Sequence, residues 1–189
     1  ITALDTATNY NVIVSGTCTP GDTSIFATLS TNEAPIITLE PNNQVACAGD
    51  SVIFNTTANG TGLNFQWRKG NIDLVNSAKI SGANSNKLTV RSLNTTDTAS
   101  NYNVIVTGTC LLKDTSINAS LIVNQKPIIN AEPSNQTVCA KSSANFTVSA
   151  TGTNLTYQWK KGNAIIVNSA NVSGATTSSL LISNTSISD

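Results

Sequence analysis

The residues able to do chemistry in this 189-residue chain are its cysteines, carboxylates and tryptophans, because it contains no histidine and no methionine. A Ser-His-Asp triad or a Cys-His dyad needs an imidazole, so neither is available. The four cysteines are Cys18, Cys47, Cys110 and Cys139. None has a second cysteine a few residues away, as a zinc knuckle requires. Asp5, Asp22, Asp97 and Asp114, with Glu40 and Glu132, are the carboxylates that recur along the chain. Paired carboxylates can hydrolyse glycosides. These, however, fall at corners and linkers, where Asp caps turns and Glu is simply solvated. Calcium wants about six to eight oxygen ligands, and only Glu33 and Glu40 flank Pro35, only Glu132 Pro127. Trp67 and Trp159 are able to stack on sugars, but an indole in a strand of this kind is expected in the core. No catalytic, cofactor or metal site follows, and the chain reads as a protein that is not an enzyme.

What must position these residues is a set of strands. Hydrophobic residues make up 39% and charged ones only 11%, so Asn, Ser and Thr carry the polarity. That mixture suits sheets with one wet face and supplies no window of good helix formers. The formal net charge is zero, which gives no electrostatic reason to expect nucleic acid or anionic lipid as partner. No apolar run approaches the roughly 18 residues that span a bilayer, and Ile1 opens on a strand-like pattern rather than a signal peptide.

Self-comparison fixes the organisation. At an offset of 92 positions, Asn9-Tyr10-Asn11-Val12-Ile13-Val14 falls on Asn101-Tyr102-Asn103-Val104-Ile105-Val106, Cys18 on Cys110, Cys47 on Cys139 and Trp67 on Trp159. Val75-Asn76-Ser77-Ala78 recurs as Val167-Asn168-Ser169-Ala170. A period this long exceeds helical or leucine-rich solenoid units and matches one β-sandwich of about 100 residues. Pro35 and Pro127 set the phase. Residues 1–33 are read as the last strands of a preceding repeat, 34–125 as a complete repeat, and 126–189 as the first two-thirds of a following one. Alternation places Val52, Phe54 and Thr56 on one face, and likewise Leu63, Phe65 and Trp67; Leu88 and Val90; Tyr102, Val104 and Val106; and Ile117, Ala119, Leu121 and Val123. The fold class expected is all-β, a tandem array of sandwiches.

The residues carrying this pattern resemble the immunoglobulin-like superfamily. Gly49-Asp50-Ser51-Val52-Ile53-Phe54 is similar to its second strand, Phe65-Gln66-Trp67-Arg68-Lys69-Gly70 to its third, and Asp97-Thr98-Ala99-Ser100-Asn101-Tyr102 to its tyrosine corner, one residue longer than usual. The resemblance implies Trp67, Trp159, Tyr10 and Tyr102 as core residues. The usual inter-sheet cysteines, near Thr56 and Val104, are missing. Cysteine stands instead just before the second strand and at the end of the Tyr strand. This displaced pair is similar to repeats of very large Bacteroidetes surface proteins, and the Asn/Thr-rich style most resembles flavobacterial gliding-motility adhesins exported by the type IX system.

With that resemblance, the pairing expected is Cys47–Cys110 inside the complete repeat. It would enclose about 64 residues and contribute roughly 4 kcal/mol by loop entropy. Cys18 and Cys139 would pair with adjoining repeats or with each other, the latter within one chain or by head-to-tail strand addition between chains. Asp followed by Ser or Thr and a small apolar residue, at Thr6, Ser51 and Thr98, resembles the O-glycosylation motif of Bacteroidetes envelope proteins. The function implied is that of stalk repeats of an extracellular adhesin on a bacterial surface. Their partners are neighbouring repeats, with surface polysaccharide or motility and secretion machinery at distant parts of the protein, and no cofactor. The alternatives are a carbohydrate- or protein-binding module and an ancillary domain of a secreted hydrolase.

Overall fold

The computed structural model describes residues 6–186. Among them the secondary structure is short strands with a single 3-10 turn at Thr95–Asp97. The chain forms two compact units interleaved in sequence, one from Ile1–Gln44, Val52–Val90 and Ala99–Ser120, the other from Val45–Ser51, Arg91–Thr98 and Leu121–Asp189.

In the first unit, Asn64–Lys69 pairs antiparallel with Ala99–Thr107, Val104 lying opposite Trp67. Ile72–Asp73 extends this sheet on one side and Lys113–Thr115 on the other. A second sheet joins Val52–Asn55 to Lys87–Val90 and Ile80–Ser81. The period-2 alternation of these strands decides which side chains meet. Val52, Phe54, Leu88, Val90, Trp67, Tyr102, Val104 and Val106 are all buried, with Thr56 beside them. Phe54 stacks on Tyr102 at 5.0 Å between ring centroids and tilts against Trp67 at 6.0 Å. The Thr56 hydroxyl reaches the core because it donates to the Leu39 carbonyl at 2.8 Å, which removes the cost of burying it.

In the second unit, Ala144–Thr147 pairs with Ser179–Ile182, which pairs with Val172–Ser173. Ile128–Ala131 pairs with Ser149–Thr151, and Lys160–Lys161 with Ala164–Ile165. Phe146 and Trp159 face each other at 6.3 Å, as Phe54 and Trp67 do.

Local bonds repeat with the sequence. The Trp67 indole donates to the Ser85 carbonyl at 2.8 Å and the Trp159 indole to that of Thr177 at 2.9 Å. The Ala83 and Ala175 amides each donate to an Asn side chain, Asn76 and Asn168, at 2.9 Å. Three bonds around Ser116 recur around Ser24. The Ser116 amide donates to the Val104 carbonyl, its hydroxyl oxygen accepts from the Val104 amide, and that hydroxyl donates to the Ile117 carbonyl. Ser24 does the same with Val12 and Ile25. The serine thus replaces one rung of the β-ladder with its own side chain. This interrupts the last strand, so Ile117 is 62% exposed although alternation put it inside with Ala119.

Candidate functional site

The expected core residues divide by location. Trp67 is fully buried and Tyr102 is 2% exposed. Tyr10 is 48% exposed and Trp159 half-buried, which corrects the expectation that all four lie in a core. The reason is the partner strands. Tyr102 is covered because Phe54 stacks on it, whereas Tyr10 ends a strand, Ala7–Tyr10, that pairs with Ala27–Leu29.

All four cysteines are free thiols, Cys18, Cys47 and Cys139 exposed and Cys110 half-buried, so the expected Cys47–Cys110 bridge is not formed. The physical reason is strand length. The loop bearing Cys47 is tied to the segment that enters the Tyr102 strand. The Gly49 amide donates to the Leu93 carbonyl at 2.7 Å, the Leu93 amide to that of Asp50 at 3.0 Å, and the Asp50 amide to that of Cys47 at 3.1 Å. Cys110 instead follows the far end of that strand, after Thr107. Nine extended residues from Ala99 to Thr107 span about 26 Å at ~3.3 Å each. A disulfide tolerates roughly 4.4–6.8 Å between α-carbons.

The carboxylates do more than cap turns. Asp114 accepts from the Ile37 amide at 2.7 Å with one oxygen and from the Thr115 amide at 2.8 Å with the other. Glu40 accepts from the Ile117 amide at 3.0 Å. Each pins one segment to another some 77 positions away. Asp97 accepts from the Asn94 amide at 2.8 Å while Asn94 accepts from that of Thr96, a capped turn leading into the Tyr strand. Among the described residues no three His, Cys, Asp or Glu side chains gather to hold a metal. Thr6, Ser51 and Thr98 are exposed, and the Thr98 hydroxyl oxygen accepts from the Val123 amide at 3.0 Å.

Two open concavities flank Trp159. One open groove is lined by Pro127, Ile129, Val148, Leu155, Tyr157 and Trp159, and a second by Phe146, Trp159, Ile166, Leu180 and Ile182 with two lysines. Their lining is the apolar face whose counterparts in the first unit, Phe54, Trp67 and Leu88, form a core. This is a packing surface rather than a pocket with convergent polar groups, which ligand recognition needs.

The feature built identically twice is the entry to each sandwich. The Glu33 amide donates to the Thr61 hydroxyl at 3.0 Å, and the Thr61 amide returns to the Glu33 carbonyl at 3.1 Å. Ninety-two positions on, the Gln125 amide donates to the Thr153 hydroxyl at 2.8 Å, and the Thr153 amide returns to the Gln125 carbonyl at 3.1 Å. Beside these clamps Gly60, at φ +140°, lets Pro35 close in. A β-carbon there would stand 2.9 Å from the Pro35 α-carbon, and one on Gly152 would stand 3.1 Å from that of Pro127. The second entry also meets the residues before it. The Ala48 amide donates to the Asn124 carbonyl at 2.8 Å, and a shallow cavity there is lined by Ala48, Asn94, Thr95, Gln125, Lys126 and Ile128. Sequence reasoning marked the prolines of these linkers but not Thr61 and Thr153. Their recurrence in the Gly-Thr-Gly and Gly-Thr-Asn turns was the available signal.

No protein-family profile and no curated protein sequence matches the chain. Solved structures do. An I-band fragment of titin superposes with a TM-score of 0.79 at 16% identity over 100% of this chain and 68% of its own. The first four immunoglobulin domains of Sidekick-1 give 0.64 at 22% identity over 100% of this chain and 53% of theirs. Extracellular domains 3–5 of Drosophila OTK give 0.57 at 16% identity, again over 100% of this chain and 65% of theirs. All three are tandem arrays. Together with the two sheets and the core between them, they establish an all-β, immunoglobulin-like sandwich fold for this chain.

Proposed function

We propose that this chain is a run of spacer repeats from the stalk of a large secreted adhesin on a bacterial cell surface, and not an enzyme. Each repeat is one sandwich, with residues 34–125 a complete one, 1–33 the last strands of the repeat before it and 126–189 the first two-thirds of the repeat after it. Stacking them projects a distant binding tip, whose contacts with surface polysaccharide and with motility or secretion machinery lie elsewhere in the protein. Attachment and gliding, with export by the type IX system, are the activities this stalk serves. The observation that carries the reading is the duplicated entry clamp, Glu33 with Thr61 and Gln125 with Thr153. A linker hydrogen-bonded in both directions to the sandwich it enters restricts bending, which a spacer needs and an isolated binding module does not. The groove beside Trp159 supports the binding-module alternative poorly, because its counterparts are core.

Antibodies against residues 34–125 are expected to label intact, unpermeabilised cells of the source organism and to impede their movement over a surface. Labelling that needs cell lysis contradicts the proposal. Thr6, Ser51 and Thr98 are proposed O-glycan acceptors, all exposed. The intact mass of material secreted by the native host is expected to exceed that of the bare polypeptide. A mass equal to the polypeptide removes the glycans from the account.

A further inference from the structure

Cys47 and Cys110, which cannot meet within a repeat, each stand beside a linker. The Cys110 sulfur lies 3.4 Å from the carbonyl oxygen of Asn32, in the linker that enters the complete repeat. The residue 92 positions after Asn32 is Asn124. Its carbonyl accepts from the Ala48 amide at 2.8 Å, and Ala48 is the residue bonded to Cys47.

The two linkers are anchored alike, through the Glu33–Thr61 and Gln125–Thr153 clamps. The loops bearing the first-type cysteine are also alike. Asp50 bonds back to the Cys47 carbonyl as Ser142 does to that of Cys139, and Gly49 bonds to Leu93 as Lys141 does to Thr185. One joint can therefore be read onto the other. Doing so brings a Cys47-type residue and a Cys110-type sulfur to the same linker carbonyl, at 2.8 Å from the neighbouring amide and 3.4 Å from the sulfur. Two cysteines so placed border one carbonyl, and a disulfide between them needs their α-carbons about 4.4–6.8 Å apart. Neither joint in this sequence holds both members. The first has the Cys110 half and the second the Cys47 half, because the complementary positions fall outside the numbered residues.

We infer that consecutive repeats are stapled to each other. The cysteine before the second strand of one repeat forms a disulfide with the cysteine after the Tyr strand of the next, and no bridge lies within a repeat. Two thiols lose two protons and two electrons to a disulfide oxidant, which is reduced to two thiols by exchange. Cys47 is exposed and Cys110 half-buried, so both are open to that exchange. The pairing rests on the register of the repeats. Only the supply of oxidant in the cell rests on the proposed extracellular location, so the test provides its own.

The full chain is joined in register to a second copy of itself, with Asp189 followed directly by Thr6, which continues the 92-residue offset. The folded protein is oxidised with glutathione disulfide, its free thiols are capped, and it is digested without reduction. The expected bridges join Cys47 of the first copy to Cys18 of the second, and Cys139 of the first to Cys110 of the second, each with loss of two hydrogens. The remaining four thiols stay capped. Cys47→Ser in the first copy should release only the second copy's Cys18. A main product joining Cys47 to Cys110 of the same copy overturns the inference, and so does capping of all eight thiols in a protein whose circular dichroism is that of β-sheet. If the fusion does not fold, the original chain is oxidised alone. Cys47 and Cys110 recovered as separate glutathione adducts support the inference, and a peptide joining them overturns it.

Discussion

Trp67→Ala is expected to destabilise the first unit by about 3–5 kcal/mol, close to the whole stability of a small domain. The corresponding fall in Tm is on the order of 15 °C or more. Three losses combine. The indole is fully buried and packs against Phe54 at 6.0 Å, so truncation leaves a cavity. Its ring N–H is the donor to the Ser85 carbonyl, which loses that partner in a part-buried setting. The backbone of Trp67 also anchors the loop that follows, donating to Ala83 and accepting from Leu74, so a shift of the strand propagates there. Trp159→Ala is the internal comparison. Trp159 makes the same indole bond, to Thr177, but is only half-buried, and burial sets the transfer part of the penalty. Thermal unfolding of the two variants followed by circular dichroism should therefore rank Trp67→Ala as the more damaging. Equal shifts would mean that the difference in burial does not set the penalty.

The second large effect comes from a residue with no side chain. Gly82→Ala is expected to cost about 3 kcal/mol or more, combining left-handed backbone strain with overpacking. Gly82 has φ +79°, and a β-carbon there would stand 1.9 Å from the Lys87 carbonyl oxygen and 2.9 Å from the Ser85 hydroxyl. The Lys87 carbonyl cannot retreat freely, because Lys87 opens the strand that pairs with Asn55. The same arrangement recurs at Gly174, φ +79°, where the β-carbon would meet the Ser179 carbonyl at 1.9 Å. Gly49→Ala separates the two causes. Gly49 has φ +91° but only the Lys126 ammonium, at 3.8 Å, in the space of a β-carbon. It should lose about 1 kcal/mol, the strain alone. Chemical denaturation of both variants measures the difference, and similar midpoints would remove the clash from the argument.

Much of the fold was legible because burial enforces a period of two. Val52 and Phe54, Leu88 and Val90, and Tyr102, Val104 and Val106 alternate in sequence, and all are buried. Ile117 departs from this alternation, and nothing in its own pattern reveals the effect of Ser116. That hydroxyl substitutes for a ladder bond and turns the next side chain outward. Glu40 and Asp114 look solvated or turn-capping in sequence, yet each accepts a backbone amide about 77 positions away. Local sequence carries no trace of such a partner. The cysteines show the same limit more sharply. Composition and recurrence pointed to cross-links, but which pairs meet depends on the length of the Ala99–Thr107 strand between them and on the linker carbonyls of Asn32 and Asn124.

We propose above all that residues 34–125 form a complete sandwich whose pattern begins again 92 positions on. Amide hydrogen exchange across the dilute chain tests it most directly. The strands Val52–Asn55, Asn64–Lys69, Lys87–Val90 and Ala99–Thr107 should exchange slowest, as one cooperative block. The sequence-equivalent segment around Tyr10, Val12 and Val14, which is exposed, should exchange far faster. Equal protection at Tyr10–Val14 and Tyr102–Val106, or no slow block within 34–125, would contradict the account.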